Sequence, residues 1–341
     1  MADALLSPAV GATMWAGSMA AIGYSSKKLK ENIDNKTIPL MGVMGAFIFA
    51  AMMINFTIPG TGSSGHIGGG MILTVILGPY AAFLAISSVL MVQALFFADG
   101  GLLALGCNIW NLGIYPCFIA YPLIYKPIAG DGTSIRRISI AAIISVIIAL
   151  QLGAFSVVME TLLSGESELP FGTFVLLMQP IHLAIGLVEG IITAGIISYV
   201  KKVRPEILQA SNTLRPLETS ISIKNVLVVF IILAVVTGGA LSWFASTHPD
   251  GLEWSIEKVT GKGELAGKTS GIAPILKEIQ EKTAFLPDYN FKSDLKEESK
   301  EEKTPAWPGI EAGPSVAGLV GGAIVLMFIL FIGFGIRFFK K

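Results

Sequence analysis

Long apolar runs separated by short polar segments dominate the chain. A membrane-spanning helix needs about 20 mostly apolar residues, and several runs reach that length. They cover residues 4–24, 38–56, 101–125, 137–162, 172–200, 223–246 and 315–337. A further charge-free stretch, 67–97, is too long for one helix, and Gly78-Pro79 interrupts it near the middle, so we predict two helices there. The pattern therefore predicts nine spans.

The basic residues predict how these spans are oriented. Lys and Arg accumulate in loops that stay in the cytoplasm. With nine spans, all 15 basic residues outside the polar stretch 248–314 fall on one side, whereas a single span over 67–97 would scatter them over both sides. We therefore predict an all-α polytopic membrane protein with its N-terminus outside and its C-terminus inside. The short first arm of 67–97 is expected to be buried among longer helices.

The chain divides into two predicted modules. Residues 1–204 form a seven-helix module, 205–222 a cytoplasmic linker, and 223–341 a two-helix hairpin with a large extracytoplasmic loop, 248–314. Residues 249–314 hold 13 of the 24 acidic and 9 of the 24 basic residues, with few apolar positions. This composition predicts a partly ordered, solvated insertion.

The composition excludes several classes of protein. With 53% hydrophobic and only 14% charged residues, the chain is too apolar for an ordinary soluble domain. It lacks the basic stripe of a nucleic-acid binder. It also lacks a GxxxxGK[ST] motif, so we do not expect it to hydrolyse ATP through a P-loop. Both cysteines, Cys107 and Cys117, lie in an apolar segment and are interpreted as packing residues.

Histidines are rare enough to consider singly. His66 follows a glycine-rich segment, which we interpret as a re-entrant loop that lets this side chain point into the helix bundle. His182 and Glu189 lie on one face of a predicted span, and ionisable groups inside a bilayer usually face the protein interior. These two side chains could act as ligands or support a ligand, or they could form a structural hydrogen-bonded pair. Glu189 is the one charged residue that we place at depth, whereas His248 is expected at the surface.

Other intramembrane positions have a structural explanation as well as a functional one. The polar residues of the predicted spans could all be interhelical hydrogen-bonding groups; they are Asn55, Gln93, Asn108, Asn111 and Gln151, with Asp99 at an outer helix end. Ala12, Ala16 and Ala20 recur every four positions on the first span. Such a stripe allows close helix approach, either inside the module or against another subunit.

Several motifs occur together in this chain. They are Leu6-Ser-Pro-Ala-Val10, Pro59-Gly-Thr-Gly-Ser-Ser-Gly-His66, Asp99-Gly-Gly-Leu-Leu-Ala-Leu-Gly106 with Asn108, His182-x-x-x-Gly186-x-x-Glu189-Gly190, and Pro249-Asp-Gly-Leu-Glu-Trp254. With these motifs the chain resembles the cobalt/nickel family of energy-coupling-factor (ECF) transporters. The resemblance is to an M-type substrate-binding subunit (NikM/CbiM), or S component, fused to its small N-type partner, and it covers essentially the whole chain.

The resemblance implies a function. The chain would be a high-affinity nickel or cobalt binding subunit, not an enzyme, in the plasma membrane of a prokaryote. It would capture metal at the outer face for import. A separate transmembrane coupling (T/Q-type) subunit and ABC ATPase (O-type) subunits would supply transport, with Ala12, Ala16 and Ala20 as a docking surface for the coupling subunit. The alternative is a stand-alone divalent metal permease driven by ion gradients.

The resemblance also implies a ligand set. In the family the metal is held by the N-terminal amine, by the backbone and side chain of a His at position 2, and by the His of the glycine-rich loop. Here only His66 matches by position, and Met1 enters as the bearer of an amine, because the chain begins Met1-Ala2-Asp3. Either a Met-His dipeptide precedes Met1 natively, or the site is altered and uses Met1, Asp3, His66 and water. Residues that could support or replace ligands are Asp3, Asn55, Asp99, His182 and Glu189.

Overall fold

Helices make up most of the structure. The computed structural model describes residues 1–167, 169–217, 220–262, 271–292 and 308–339. The α-helices in these ranges are α1 (Pro8–Asn32), α2 (Thr37–Met52), α3 (Gly70–Leu77), α4 (Pro79–Phe96), α5 (Leu105–Ile109), α6 (Lys126–Ala129), α7 (Ile135–Ser164), α8 (Phe171–Val203), α9 (Pro205–Thr213), α10 (Lys224–Gly239), α11 (Gly251–Thr260), α12 (Ala273–Thr283) and α13 (Ala312–Phe338). A π-helix, Trp110–Tyr125, joins α5 to α6, and short 3₁₀ turns cover Asp3–Leu5, Leu241–Phe244 and Pro287–Tyr289. Strands β1 (Phe56–Ile58) and β2 (Ser63–Gly65) form an antiparallel hairpin.

Four helices of the described residues, α4, α7, α8 and α13, are long and apolar enough to cross a membrane. Helices α2 and α10 are apolar but shorter. These lengths agree with a membrane protein, whereas the nine-span count and its orientation stay predictions. Helix α1 continues to Asn32, past the predicted end at residue 24.

The long apolar stretch 67–97 is interrupted where the sequence predicts it. Helix α3 ends at Leu77 and α4 begins at Pro79, with Gly78 between them at φ +80°. Helix α3 has eight residues, which at 1.5 Å per residue is about 12 Å long and far too short to span a bilayer. Its residues Gly70 to Ile76 are all buried, so it is enclosed by longer helices as expected.

The two predicted modules share one hydrophobic core. Helices α10 and α13 pack against α2, where the Phe47 and Phe230 rings stand 5.4 Å apart. The predicted linker is also docked, because it forms α9, in which Ser211 Oγ donates to the Val75 carbonyl of α3 at 2.8 Å. The hairpin and linker are thus integral parts of the helical bundle.

Basic residues at one end of the bundle bind its carbonyl groups. Lys36 Nζ donates to the Ile221 carbonyl at 2.6 Å and Arg204 Nε to the Ser222 carbonyl at 2.7 Å. Lys126 Nζ likewise donates to the Asn212 carbonyl at 3.0 Å. These are segments that the sequence assigns to the inner side, and the structure brings them together.

The predicted external loop is partly helical and packed. Its described parts contain α11, α12 and the turn Pro287–Tyr289, while residues 263–270 and 293–307 lie outside the described ranges. Gln280 of α12 donates through Nε2 to the carbonyls of Ala94 (2.9 Å) and Gly100 (2.7 Å). The described parts are therefore attached to the helices of residues 1–204 rather than solvated on all sides.

Candidate metal site

The glycine-rich segment enters the bundle as non-helical backbone. His66 follows strand β2 directly, and residues 66–69 lead into α3. Non-helical backbone at membrane depth needs partners for its N–H groups. Glu189 of α8 supplies them, since Oε2 accepts from Gly68 N at 2.7 Å and Oε1 from Gly69 N at 2.9 Å. Glu189 therefore holds the segment that carries His66.

The two half-buried histidine rings that line the bundle interior have a defined orientation. His66 Nδ1 lies 3.0 Å from the Ile67 carbonyl, and His182 Nδ1 lies 2.8 Å from the Met178 carbonyl. A carbonyl oxygen only accepts, so each neutral ring carries its proton on Nδ1 and keeps its lone pair at Nε2. Metal-binding histidines use this arrangement, in which one ring nitrogen donates a hydrogen bond and the other faces the metal. His182 and Glu189 do not pair with each other.

The N-terminal segment folds back into the bundle. The Met1 ammonium donates to Asn108 Oδ1 at 3.2 Å, and the Met1 carbonyl accepts from Gly101 N at 3.1 Å. Asp3 Oδ1 accepts from Ala104 N at 2.9 Å. A Cβ at Gly101 would overlap Asp3, so only glycine allows this approach. These contacts hold the terminal amine against the start of the helix that carries Asn108.

The motif Pro249-Asp-Gly-Leu-Glu253 begins helix α11 with a capping box. Asp250 accepts from the backbone N–H of Leu252 (2.8 Å) and Glu253 (2.9 Å), and Glu253 accepts in return from Asp250 N at 3.2 Å. A Cβ at Gly251 would lie 2.8 Å from Ile181 Cγ2 and 3.3 Å from His182 Cε1. The glycine thus lets the helix end come against α8 beside His182.

The same motif also binds the β-hairpin. Ser64 N donates to the Pro249 carbonyl at 2.8 Å and Ser64 Oγ to the His248 carbonyl at 2.7 Å. Trp254 Nε1 donates to the Thr61 carbonyl at 3.1 Å. The segment that begins α11 therefore contacts the backbone that immediately precedes His66.

A cavity of about 140 Å³ lies where the N-terminus, the His66 segment and the start of α11 meet. Its polar lining consists of Met1, His66, Asn108, Asn111, His182 and Asp250. Among the described residues, no three His, Cys, Asp or Glu side chains are close enough to hold a metal ion. A metal in this cavity would therefore need the terminal amine or backbone groups in addition to the imidazoles.

The remaining residues proposed from the sequence lie elsewhere. Asn55 is at the start of the hairpin, where its carbonyl accepts from Ser246 N at 2.7 Å. Asp99 binds the hydroxyl of Tyr289. Burial, followed by the nearby negative charge of Asp99, raises the pKa of Tyr289 well above its usual value. Neither Asn55 nor Asp99 lines the cavity, and Asp3 supports Ala104 rather than lining it.

The three alanines of the predicted docking stripe are exposed on α1. The opposite face of α1 is buried, and Ser18 Oγ donates to the Gly106 carbonyl at 2.7 Å. The sequence left two uses open for this stripe, packing inside the module or packing against another subunit. The described contacts leave the stripe uncovered inside the module.

Glu160 is a buried acidic residue that was not among those proposed from the sequence. We treated Glu189 as the one charged residue at depth, and this was wrong, because Glu160 of α7 is only 5% exposed. Its Oε2 accepts from Asn111 Nδ2 at 3.0 Å. The signal was available, since Glu160 lies inside the predicted span 137–162 and an acidic residue there is unusual.

Comparison with known proteins supports a role in metal transport. Residues 1–207 match the family model of the cobalt uptake substrate-specific transmembrane region, and residues 224–338 match the PDGLE domain. A protein of Archaeoglobus fulgidus, provisionally named a fused nickel transport protein, NikMN, is 31% identical over 95% of this chain and 94% of its own length. The fused nickel transport protein NikMN of Rhodobacter capsulatus is 30% identical over 80% of this chain and 81% of its own.

A solved structure has a similar fold over part of the chain. A crystal structure of a transition metal transporter superposes with a TM-score of 0.53 at 30% identity, and covers 63% of this chain and 99% of its own. The cobalt transport protein CbiM of Sorangium cellulosum is 29% identical over 52% of this chain and 79% of its own length.

Proposed function

Because the chain belongs to the cobalt uptake substrate-specific transmembrane family, we propose that it is the nickel- or cobalt-binding subunit of an ECF-type uptake transporter. The observation that carries this proposal is the cavity in which the Met1 amine and His66 converge. The metal is the cargo and binds at the outer face. The relatives are transport proteins, which points away from an enzyme.

The donor set suits these metals. Imidazole and amine nitrogens favour late first-row divalent ions, whose affinities rise towards nickel and copper in the Irving–Williams order. We propose Met1 and His66 as ligands. His182 is the nearest replacement ligand, because it lines the same cavity and keeps its lone pair at Nε2. Nickel and cobalt share this chemistry, so the donor set does not choose between them.

Residues Asp250, Gly251 and Leu252, at the start of α11, form part of the cavity wall. Helix α11 contacts the backbone before His66, and α12 contacts the segment 94–100, beside the Gly101 that holds Met1. We propose that movement of these two contacts opens the cavity for the metal. The fused arrangement would keep the module close to the site.

We also propose how the chain crosses the membrane. We propose seven spans in residues 1–204, an inner linker at 205–222 and two spans in 223–341, in the plasma membrane with the N-terminus outside. Two observations support this orientation. The basic segments meet at one end of the bundle, and the elements that line the cavity meet in a different part of it. Separate coupling and ATPase subunits would drive transport, and the exposed stripe Ala12, Ala16 and Ala20 would dock the coupling subunit.

The proposal is tested by titrating the purified chain with Ni²⁺ and Co²⁺ in a calorimeter. His66→Ala should abolish tight binding, whereas His248→Ala, which changes a residue outside the cavity lining, should leave it intact. A form extended by Met-His at the N-terminus distinguishes the two ligand sets. If neither the chain nor its extended form binds either metal, the proposed function is wrong.

A cellular assay separates this function from the alternative permease. Metal uptake should require co-expressed coupling and ATPase subunits. Uptake by the chain alone, abolished by collapsing the ion gradients, would instead support the permease.

A further inference from the structure

Two buried oxygen atoms beside the cavity lack a hydrogen-bond donor. Glu160 is 5% exposed and Asn111 is 6% exposed, and they are joined by the 3.0 Å bond from Asn111 Nδ2 to Glu160 Oε2. The other carboxylate oxygen, Glu160 Oε1, and the amide oxygen, Asn111 Oδ1, accept no hydrogen bond from the part of the chain that the structure describes. Two adjacent acceptors are therefore left without donors.

Such a pair is costly without a donor or a cation. Burying an unpaired acceptor is unfavourable, and a buried carboxylate needs a counter-charge or a full set of hydrogen bonds. The nearby thiol of Cys107 is only a weak donor. The arrangement thus points to a ligand that brings both positive charge and donor groups.

The cavity supplies the place for this ligand. Asn111 lines it together with Met1 and His66. The terminal ammonium of Met1 is already near enough to interact electrostatically with Glu160. Cationic groups in the cavity therefore experience the negative charge of Glu160.

We propose that Glu160 and Asn111 form an oxygen subsite that binds a divalent cation through one of the water ligands of that cation. A metal-bound water donates strongly to a carboxylate or an amide oxygen, and the charge of Glu160 stabilises the cation in a site of low dielectric constant. This inference rests on the proposed function and adds to it residues that do not coordinate the metal directly. Glu160 and Asn111 are thus positioning residues for the hydrated cation.

The test is Glu160→Gln, which keeps the size of the side chain and removes its charge. We expect Ni²⁺ affinity, measured by calorimetry, to fall by roughly tenfold to a hundredfold, the effect of one lost hydrogen bond to a charged group. The thermal midpoint of the metal-free protein should stay the same or rise, because the variant no longer buries a charged group with an incomplete set of hydrogen bonds. Glu257→Gln, on the exposed face of α11, is the matched control and should change neither value.

The opposite pattern would overturn the proposal. If Glu160 only supports Asn111 structurally, Glu160→Gln lowers the thermal midpoint and leaves the affinity unchanged. Should Glu160→Gln fail to fold, Glu160→Asp keeps the charge and should retain affinity within a few fold, whereas Asn111→Leu should lose it. Normal Ni²⁺ binding by Asn111→Leu or Glu160→Gln, with binding lost in His66→Ala, rejects the subsite and leaves the proposed function standing. No binding by either the wild-type chain or its form extended by Met-His rejects the proposed function.

Discussion

Replacing Glu189 by Gln tests how the His66 segment is held. Glu189 is 2% exposed and accepts from two backbone N–H groups, at 2.7 and 2.9 Å. A glutamine at this position offers one carbonyl oxygen, so one of the two N–H groups would face the NH₂ group of the amide instead. The variant therefore loses one charge-assisted hydrogen bond and places two donors against each other.

The size of the effect follows from these contacts. A hydrogen bond to a charged group contributes about 1.5–3 kcal/mol, and an unsatisfied buried donor costs about 1–3 kcal/mol. We expect Glu189→Gln to lower the free energy of unfolding by roughly 2.5–6 kcal/mol, the sum of these two contributions. If the loss falls on the His66 segment alone, a 2 kcal/mol change corresponds to a decrease in metal affinity of at most about thirtyfold.

The assay combines denaturation in detergent with Ni²⁺ calorimetry, and Glu257→Gln serves as the exposed control. Both the denaturation midpoint and the affinity should fall in Glu189→Gln. Stability and affinity equal to those of the control would refute the reasoning that Glu189 holds this segment.

Three further predictions concern other parts of the molecule. Gly251→Val should lower the thermal midpoint and weaken Ni²⁺ binding, because its Cβ would lie 3.3 Å from His182 Cε1 and overpacking costs about 1–3 kcal/mol. An unchanged variant would show that α11 does not pack tightly against the cavity wall at His182. Tyr289 has a raised pKa in the folded state, so its contribution to stability is complete below the usual tyrosine pKa of about 10 and is lost as the pH rises further. Tyr289→Phe should flatten the dependence of stability on pH above that value. Parallel pH dependences in the variant and the wild type would contradict the inference that burial raises this pKa. Ala16→Leu should leave Ni²⁺ affinity unchanged and reduce co-purification with the coupling subunit, whereas undiminished co-purification would exclude this stripe as the docking surface.

Much of the fold follows from local sequence signals. A Gly-Pro pair within an apolar stretch is a strong helix breaker, and α3 ends and α4 begins at this pair. The glycine-rich segment before His66 was correctly expected to carry non-helical backbone into the bundle. Its anchor on Glu189 was not predictable from the residues, because it joins positions about 120 apart in the chain.

The site was harder to predict because it is assembled from distant segments. The placement of His182 and Glu189 on one helical face suggested a pair, yet Glu189 binds the backbone of Gly68 and Gly69 instead. The capping box of Asp250 and Glu253 is readable from their spacing, but its contact with His182 depends on tertiary packing. Glu160 could have been found from its position in a predicted span.

A crystal structure of the Ni²⁺-loaded protein, with anomalous data at the nickel absorption edge, would locate the bound metal directly. We expect one strong anomalous peak in the cavity of about 140 Å³, within coordination distance of His66 Nε2 and of the N-terminal amine. A peak outside this cavity, for example on the exposed carboxylates of α12, would contradict it.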